Sequence, residues 1–308
     1  MACLLEDNTG AAVTPLPSWF RQDLPDMVKV REMKDPFRQA GLHTVCESAL
    51  CPNLGKCWGR GVATFMILGE ICTRACRFCG VKTGRPMAVD PQEPRQVALA
   101  VARLNLRYVV VTSVSRDDLA DEGAGQFVQT IHAIRSLMPR TRIEVLIPDF
   151  SDKPQCLEEL VAARPEVISH NMETVRRLSL DVRPQADYDR SLAVLGNLRT
   201  LAPSIFIKSG LMVGLGETDA EITGLMRDLA AVGCDMLTIG QYLAPGRKKR
   251  YLRVQRFARP EEFENYRTIG LKLGFKHVMS GPLVRSSYIA EEGYRVVCQV
   301  HSRSVPGG

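Results

Sequence analysis

Two groups of cysteines are the residues most able to do chemistry. Cys72, Cys76 and Cys79 have C-x3-C-x2-C spacing. Three thiolates at that spacing can hold three irons of a [4Fe–4S] cube and leave the fourth iron open. An open iron can chelate the amino and carboxylate groups of S-adenosylmethionine, and one electron then cleaves the sulfonium and releases a 5′-deoxyadenosyl radical. The alternative is a zinc knuckle, but a structural zinc site closes with four ligands and no fourth stands nearby. Cys46, Cys51 and Cys57 form a second triplet, C-x4-C-x5-C. It reads as a second cluster site, with a zinc site completed by His43 as the alternative. Cys3, Cys156, Cys234 and Cys298 are scattered and are given no chemistry; a free cysteine usually behaves as a small buried hydrophobe.

The elements that must position these thiols follow from the apolar pattern. Residues 1–40 read as an irregular lead-in broken by Pro15, Pro17, Pro25 and Pro36. Residues 41–61 read as a loop. Six Val/Ile-rich runs of strand length follow at Thr64–Leu68, Tyr108–Thr112, Ile143–Ile147, Val167–Ser169, Ile205–Val213 and Met236–Ile239. Helical periodicity lies between them at Val97–Leu104, Phe127–Met138, Leu192–Leu201 and Ile222–Val232. Thr218–Glu221 has the form of a capping box, and Pro260-Glu261-Glu262 marks another helix start. Near-continuous apolarity suits strands covered on both faces. The alternation predicts βαβ units around a parallel sheet, either an open, curved six-fold barrel or a doubly wound sheet. Ligands then sit at the carboxyl ends of the strands, where the Cys72–Cys79 loop also falls. The expected division is an extension over 1–61, a partial (β/α)6 TIM-like barrel over 62–273, and a segment over 274–308 that folds back.

Other residues at strand ends could serve a ligand. Asn171 and Glu173 could hydrogen-bond ribose or methionine, or lie in a solvated loop. Lys208 and Arg183 could bind a carboxylate or a substrate amide, or form buried ion pairs. Gly214 and Gly216 could present backbone donors to a nucleotide, or simply make a tight turn. Arg247–Arg250, with Arg253 and Arg256, is a basic run better suited to an acidic carrier domain than to nucleic acid, since no stacking aromatics are interleaved.

The bulk numbers bound the class. The chain has 308 residues, 45% hydrophobic and 24% charged, with net charge +6, which is ordinary globular composition. No apolar run reaches membrane-spanning length. The first residues lack the basic region of a secretory signal. Ten cysteines without such a signal favour metal ligation in a reducing cytoplasm over disulfides.

The chain resembles the lipoyl synthases, radical S-adenosylmethionine enzymes, over roughly residues 30–290. The resemblance rests on both triplets in that family's order and spacing, and on Thr112–Leu119, His170–Val175, Val182-Arg183-Pro184 with Ala186-Asp187-Tyr188, Lys208–Thr218 and Arg285-Ser286-Ser287-Tyr288. It departs from the family pattern at Arg176, Gln185, Ile289 and the basic segment 241–252. The resemblance implies two [4Fe–4S] clusters and insertion of two sulfurs, at C6 and C8 of an octanoyl-lysine. It implies Ser287 as fourth ligand of the first-triplet cluster, which serves as sulfur donor. It further implies an octanoylated lipoyl carrier protein as substrate (lipoyl domains or glycine cleavage H protein), a flavodoxin- or ferredoxin-type reductant, and an Fe–S cluster carrier. Neither nucleic acid nor membrane is expected. The alternatives are another sulfur-inserting radical enzyme of the biotin synthase kind, and a two-cluster electron carrier.

Overall fold

The computed structural model describes residues 16–21, 26–48, 51–58, 62–246 and 248–304. Cys3, Pro15, Pro25 and Arg247 lie outside them. Among the described residues ten strands run in chain order: β1 (His43–Thr44), β2 (Thr64–Ile67), β3 (Ile71–Cys72), β4 (Lys82–Thr83), β5 (Tyr108–Ser113), β6 (Arg142–Leu146), β7 (Val167–Ser169), β8 (Phe206–Val213), β9 (Met236–Gln241) and β10 (His277–Gly281). Eight form one open sheet in the order β1-β2-β5-β6-β7-β8-β9-β10. All its pairings are parallel except that of β1 with β2. Helices at Glu93–Arg103, Ala124–Leu137, Pro154–Ala162, Tyr188–Leu201, Asp219–Ala231 and Pro260–Lys272 connect the parallel strands.

The apolar runs explain why these strands lie inside. Every residue of β2 and of β9 is buried, as expected where helices pack on one face and the barrel interior lies on the other. The capping box at Thr218 forms: its hydroxyl accepts from the Glu221 N–H at 3.3 Å, and the Glu221 carboxylate accepts from the Thr218 N–H at 2.8 Å. Both groups satisfy backbone or side-chain donors that a helix start otherwise leaves open.

The structure differs from the sequence reading at three places. A helix spans Met27–Gln39 and runs through Pro36, where a proline was expected to end any element. Proline inside a helix costs about 3 kcal/mol. Burial of Val30 and Phe37 opposes that cost, with the Phe37 ring 5.1 Å from Phe65 and 5.7 Å from Trp58. Residues 41–61, read as loop, carry two short helices, Val45–Ser48 and Leu54–Trp58. The segment from 274 onward adds β10, a seventh parallel strand beside β9.

That last segment then does two things. Residues 282–288 cross toward the first cysteine triplet. The helix Ala290–Ser304 packs at the opposite end, with Ala290, Tyr294 and Val297 against Tyr108, Val167, Phe206 and Met236. These four are the first residues of β5, β7, β8 and β9, so the helix covers the amino ends of the strands.

Candidate active site

The second triplet sits where the sequence places it, in the loop after β2. Leu68 and Gly69 take positive φ (69° and 90°) to turn the chain out of β2. β3 and β4 then pair in a two-stranded sheet that pins both ends of the loop. The Cys72 sulfur accepts the N–H groups of Arg74 (3.4 Å) and Ser115 (3.3 Å). Arg74 is buried and bridges Asp117 (2.6 Å) and Asp149 (2.7 Å). Burial opposes ionisation of Asp149, but hydrogen bonds and charge from Arg74 outweigh it and hold the carboxyl below its usual range. The loop is thus tied by its second residue to the ends of two other strands.

Burial raises the Cys76 thiol to about 12, with further contributions from Cys79, Glu173 and Cys72. Burial also raises Cys79. Thiols that repel one another's ionisation in a shielded place suit a cation: bound iron makes the thiolate form favourable.

Asn171, Glu173 and Arg183 gather beside this loop. Glu173 takes φ 64° and bridges to Leu211, its N–H on the Gly210 carbonyl at 3.0 Å. Burial raises its carboxyl, eased by the Asn171 amide and by the charges of Arg183 and Arg285. Asn171 donates through one nitrogen to Glu173 (3.0 Å) and to Ser286 (2.6 Å). Arg183 donates to the Asn171 carbonyl at 3.0 Å. Among the described residues the Asn171 Oδ1 and Arg183 Nε have no partner.

Two sequence candidates stand elsewhere. Lys208 is buried and paired with Glu144 at 2.7 Å, and the Tyr108 hydroxyl donates to the same carboxylate at 2.6 Å; this is the buried ion pair that the sequence left open. At Gly214 and Gly216 the chain turns with φ of 100° and 104°. The N–H groups of Gly214 and Leu215 donate to the Glu217 carboxylate at 2.5 and 2.8 Å. A Cβ at Gly214 would lie 2.0 Å from the Gln241 amide and 2.6 Å from the Arg256 carbonyl. Those contacts are what a tight strand-to-helix turn requires.

The first triplet faces the far end of the chain. Cys46, Cys51 and Cys57 line a small pocket together with Thr64, Arg285 and Ser287. The Thr64 hydroxyl donates to the Ser287 Oγ at 2.8 Å, and the Asn53 amide to the Leu283 carbonyl at 2.5 Å. Burial pushes the Cys46 thiol up to about 12, followed by the charges of Cys51 and Cys57. Arg285 is half-buried and feels both Cys51 and Glu173. Among the described residues neither triplet is drawn into a tight metal-ligand group; each shares one electrostatic environment. Two buried thiols and one half-buried thiol with one oxygen donor suit an iron–sulfur cluster better than a lone hard cation.

Sequence reasoning gave several residues no part in this site. Gly240 lets the Val284 carbonyl cross close to β9, 2.0 Å from where a Cβ would be. Arg250 turns inward from the basic run and donates to the carbonyls of Cys79 (3.2 Å) and Val81 (2.9 Å). Gln185 accepts from the Ala75 N–H at 3.2 Å. A short glycine-containing strand end and an arginine beside aromatic Tyr251 were the available signals.

Residues 66–229 match the Radical SAM superfamily. The chain is 53% identical over 286 residues to lipoyl synthase 2 of Thermosynechococcus vestitus, covering 91% of this chain and 98% of that one. The chain belongs to the lipoyl synthase family. It is also 49% identical to the lipoyl synthase of Caldicellulosiruptor saccharolyticus, over 92% of this chain and 99% of that one. The lipoyl synthase of Thermus thermophilus is 51% identical, over 89% and 85%. Among solved structures, HydG, a maturase of the [FeFe]-hydrogenase, superposes with a TM-score of 0.57 at 15% identity, over 77% of this chain and 54% of that one. Streptococcus suis SuiB bound to S-adenosylmethionine gives 0.55 at 9%, over 74% and 54%. These two share the fold. Family membership makes the chain an α/β partial-barrel enzyme of the radical S-adenosylmethionine class, with a [4Fe–4S] cluster implied.

His170 offers a pH test of the strand-end packing. Burial pulls its imidazole down to about 4 from 6.5, while the Ile147 carbonyl opposes and Arg183 and Arg74 assist. Its Nδ1 lies 3.0 Å from that carbonyl, so the neutral ring carries its proton there. Below pH 6.5 the unfolded chain takes up a proton that the folded chain refuses until about pH 4, so stability falls as pH falls through that window. The full effect is on the order of 3 kcal/mol. Urea unfolding from pH 7 to 4.5 checks it: the His170→Gln variant should lose stability less steeply than the parent, and equal slopes would refute the assignment.

Proposed function

We propose that this chain inserts two sulfur atoms, at C6 and C8 of an octanoyl-lysine on a lipoyl carrier protein, and that a cluster held by Cys46, Cys51, Cys57 and Ser287 is the sulfur source. The observation that carries this reading is the meeting of Ser287 with the first triplet in one pocket. Asn171 binds Ser286 and Glu173 together, which draws that pocket and the second triplet to one face of the barrel.

The second triplet would hold the cluster that supplies an electron to bound S-adenosylmethionine, giving methionine and a 5′-deoxyadenosyl radical. The chain's own residues orient the reactants. Arg74 and Ser115 fix the Cys72 sulfur through their N–H groups. Asn171, Glu173 and Arg183 offer an amide oxygen, a carboxylate and a guanidinium nitrogen to the ribose and methionine portions. Their burial keeps water from the radical. Ser287 offers an alkoxide, harder than thiolate and a poorer match to iron, so it is the ligand readiest to leave when sulfur is withdrawn. Gly214 and Gly216 shape a strand-to-helix turn closed by Glu217, and Lys208 is held in its pair with Glu144, so neither is given a contact with the cosubstrate.

The partners that follow are octanoylated lipoyl domains or glycine cleavage H protein, a flavodoxin- or ferredoxin-type reductant, and an iron–sulfur carrier that rebuilds the consumed cluster. No described helix is long and apolar enough to cross a membrane, and we place the reaction in the cytoplasm.

Anaerobic reconstitution with S-adenosylmethionine, a strong reductant and an octanoyl-lysyl peptide tests the reading. The expected product carries two new sulfurs, with 5′-deoxyadenosine formed alongside. A product with one bridging sulfur would favour the biotin synthase kind of chemistry, and no 5′-deoxyadenosine at all would leave an electron carrier. Ser287→Ala is expected to retain 5′-deoxyadenosine formation, to make iron at the first triplet labile to chelators, and to lose sulfur insertion. Normal turnover in that variant would sink the ligand assignment.

A further inference from the structure

The basic run does not form one solvated face. Arg250 points inward: its guanidinium donates to the carbonyls of Cys79 and Val81 and to the Thr83 hydroxyl at 3.3 Å, and lies 4.8 Å from the Tyr251 ring centre. The backbone beside it is sewn to the same loop, with the Leu252 N–H on the Arg77 carbonyl at 3.1 Å and the Gln255 N–H on the Gly214 carbonyl at 2.9 Å. Residues 248–255 therefore form a strap on the outside of the second triplet's loop. Arg256 belongs to the strap's inner anchorage, paired with Glu262 at 2.5 Å.

What the strap leaves outside is cationic. Lys248, Lys249 and Arg253 are exposed, and none has an ion-pair partner among the described residues. Arg85, exposed on the chain just after Cys79, extends the field. Lys82 is neutralised by Glu70 at 2.9 Å, and Arg77 by Asp181. Met87, two residues past Arg85, is 80% exposed, an apolar contact of the kind enriched at protein interfaces.

We infer that this face docks an acidic one-electron carrier protein of the flavodoxin or ferredoxin class. The inference rests on the radical reading of the second triplet and deepens it. Charge complementarity argues for an acidic partner, and position argues for a reductant rather than the acyl carrier. The strap's bonds go to the second triplet's loop, to the turn at Gly214 and to the Tyr242 hydroxyl, and among the described residues none goes to the first triplet. A carrier domain must instead pass its acyl arm between the two triplets. An electron donor gains by approaching the loop's outer side, because transfer falls off steeply with distance. In the step served, the donor's reduced flavin or cluster loses one electron and the chain's cluster gains it. The electron then enters the sulfonium as its S–C5′ bond breaks.

The test compares the parent holoenzyme with the triple variant Lys248→Glu, Lys249→Glu, Arg253→Glu. Titration calorimetry with an oxidised plant-type ferredoxin should show affinity weakened by about tenfold or more. With photoreduced ferredoxin, 5′-deoxyadenosine formation should fall by a similar factor and lose much of its salt dependence. With dithionite, which needs no dock, the rate should match the parent. Unchanged ferredoxin affinity overturns the proposal. So does a raised KM for octanoylated carrier protein under dithionite with ferredoxin binding intact, which would give the face to the carrier. Failure of the parent itself to cleave S-adenosylmethionine with dithionite is a separate result: it removes the radical reading and this inference with it.

Discussion

Cys51→Ala is expected to abolish sulfur insertion while leaving cleavage of S-adenosylmethionine close to the parent rate, and Cys76→Ala is expected to abolish both. The asymmetry follows from where the two thiols sit. Cys51 shares its pocket with Ser287 and Arg285, and its own backbone hydrogen bonds stay local, to Cys46 and Leu54. Cys76 shares its electrostatic field with Cys79, Glu173 and Arg183, the groups that would meet the methionine end of the cosubstrate. Losing a ligand there should cost about a thousandfold or more in 5′-deoxyadenosine formation, ~4 kcal/mol of barrier. Chromatography of 5′-deoxyadenosine beside mass spectrometry of an octanoyl-lysyl peptide gives both readouts from one incubation. Loss of cleavage in Cys51→Ala would mean that the triplets are not independent, and the two-job assignment would fail.

Gly240→Ala should produce nearly the Cys51→Ala phenotype without touching a ligand. A Cβ at 240 would lie 2.0 Å from the Val284 carbonyl oxygen and 2.9 Å from its carbon. Both are backbone atoms, so no side chain can rotate away. The neighbouring Arg285 also donates to that same oxygen at 2.7 Å, so displacing Val284 drags the residues that carry Ser286 and Ser287. Overpacking of this sort costs about 1–3 kcal/mol in stability. The functional cost should be larger, because Ser287 would leave its 2.8 Å contact with Thr64. Expected are a protein that folds, cleaves S-adenosylmethionine, loses iron from the first triplet on chelation and inserts no sulfur. Gly214→Ala is the control: it is as crowded, at 2.0 Å, but sits in the turn at Glu217 and should leave chelator-resistant iron at the first triplet. Iron retained equally in both variants would show that the Val284 crossing does not set the Ser287 position.

Much of this was legible from residue types. The apolar runs at 64–68, 108–112 and 236–239 became strands because buried parallel strands need apolar side chains on both faces. Thr218 and Glu221 announced a helix start because their side chains complete its open backbone groups. Both triplets were visible as spacing. Ser287 was not, since a serine some 230 positions away carries no local signal; resemblance alone suggested it. The strand at His277–Gly281 escaped notice because it is short and mixes His, Ser and Gly with only two aliphatic residues. The helix through Pro36 went unread because local propensity argues against it and only the packing of Phe37 with Trp58 and Phe65 argues for it. Arg250 shows a different limit: a basic run looks uniform in sequence, and only the fold decides which of its cations turns inward.

The Thr64–Ser287 contact joins positions 223 residues apart, and that separation has a meaning for biogenesis. At roughly 5–20 residues per second, a ribosome works for roughly 10–50 s after making Thr64 before Ser287 exists. The Cys72–Cys79 loop finds its first braces much earlier, at Ser115, Asp117 and Asp149. Throughout that interval Cys46, Cys51 and Cys57 lack the oxygen donor proposed for them, so on that proposal the sulfur-donating cluster is finished only after Ser287 has been made.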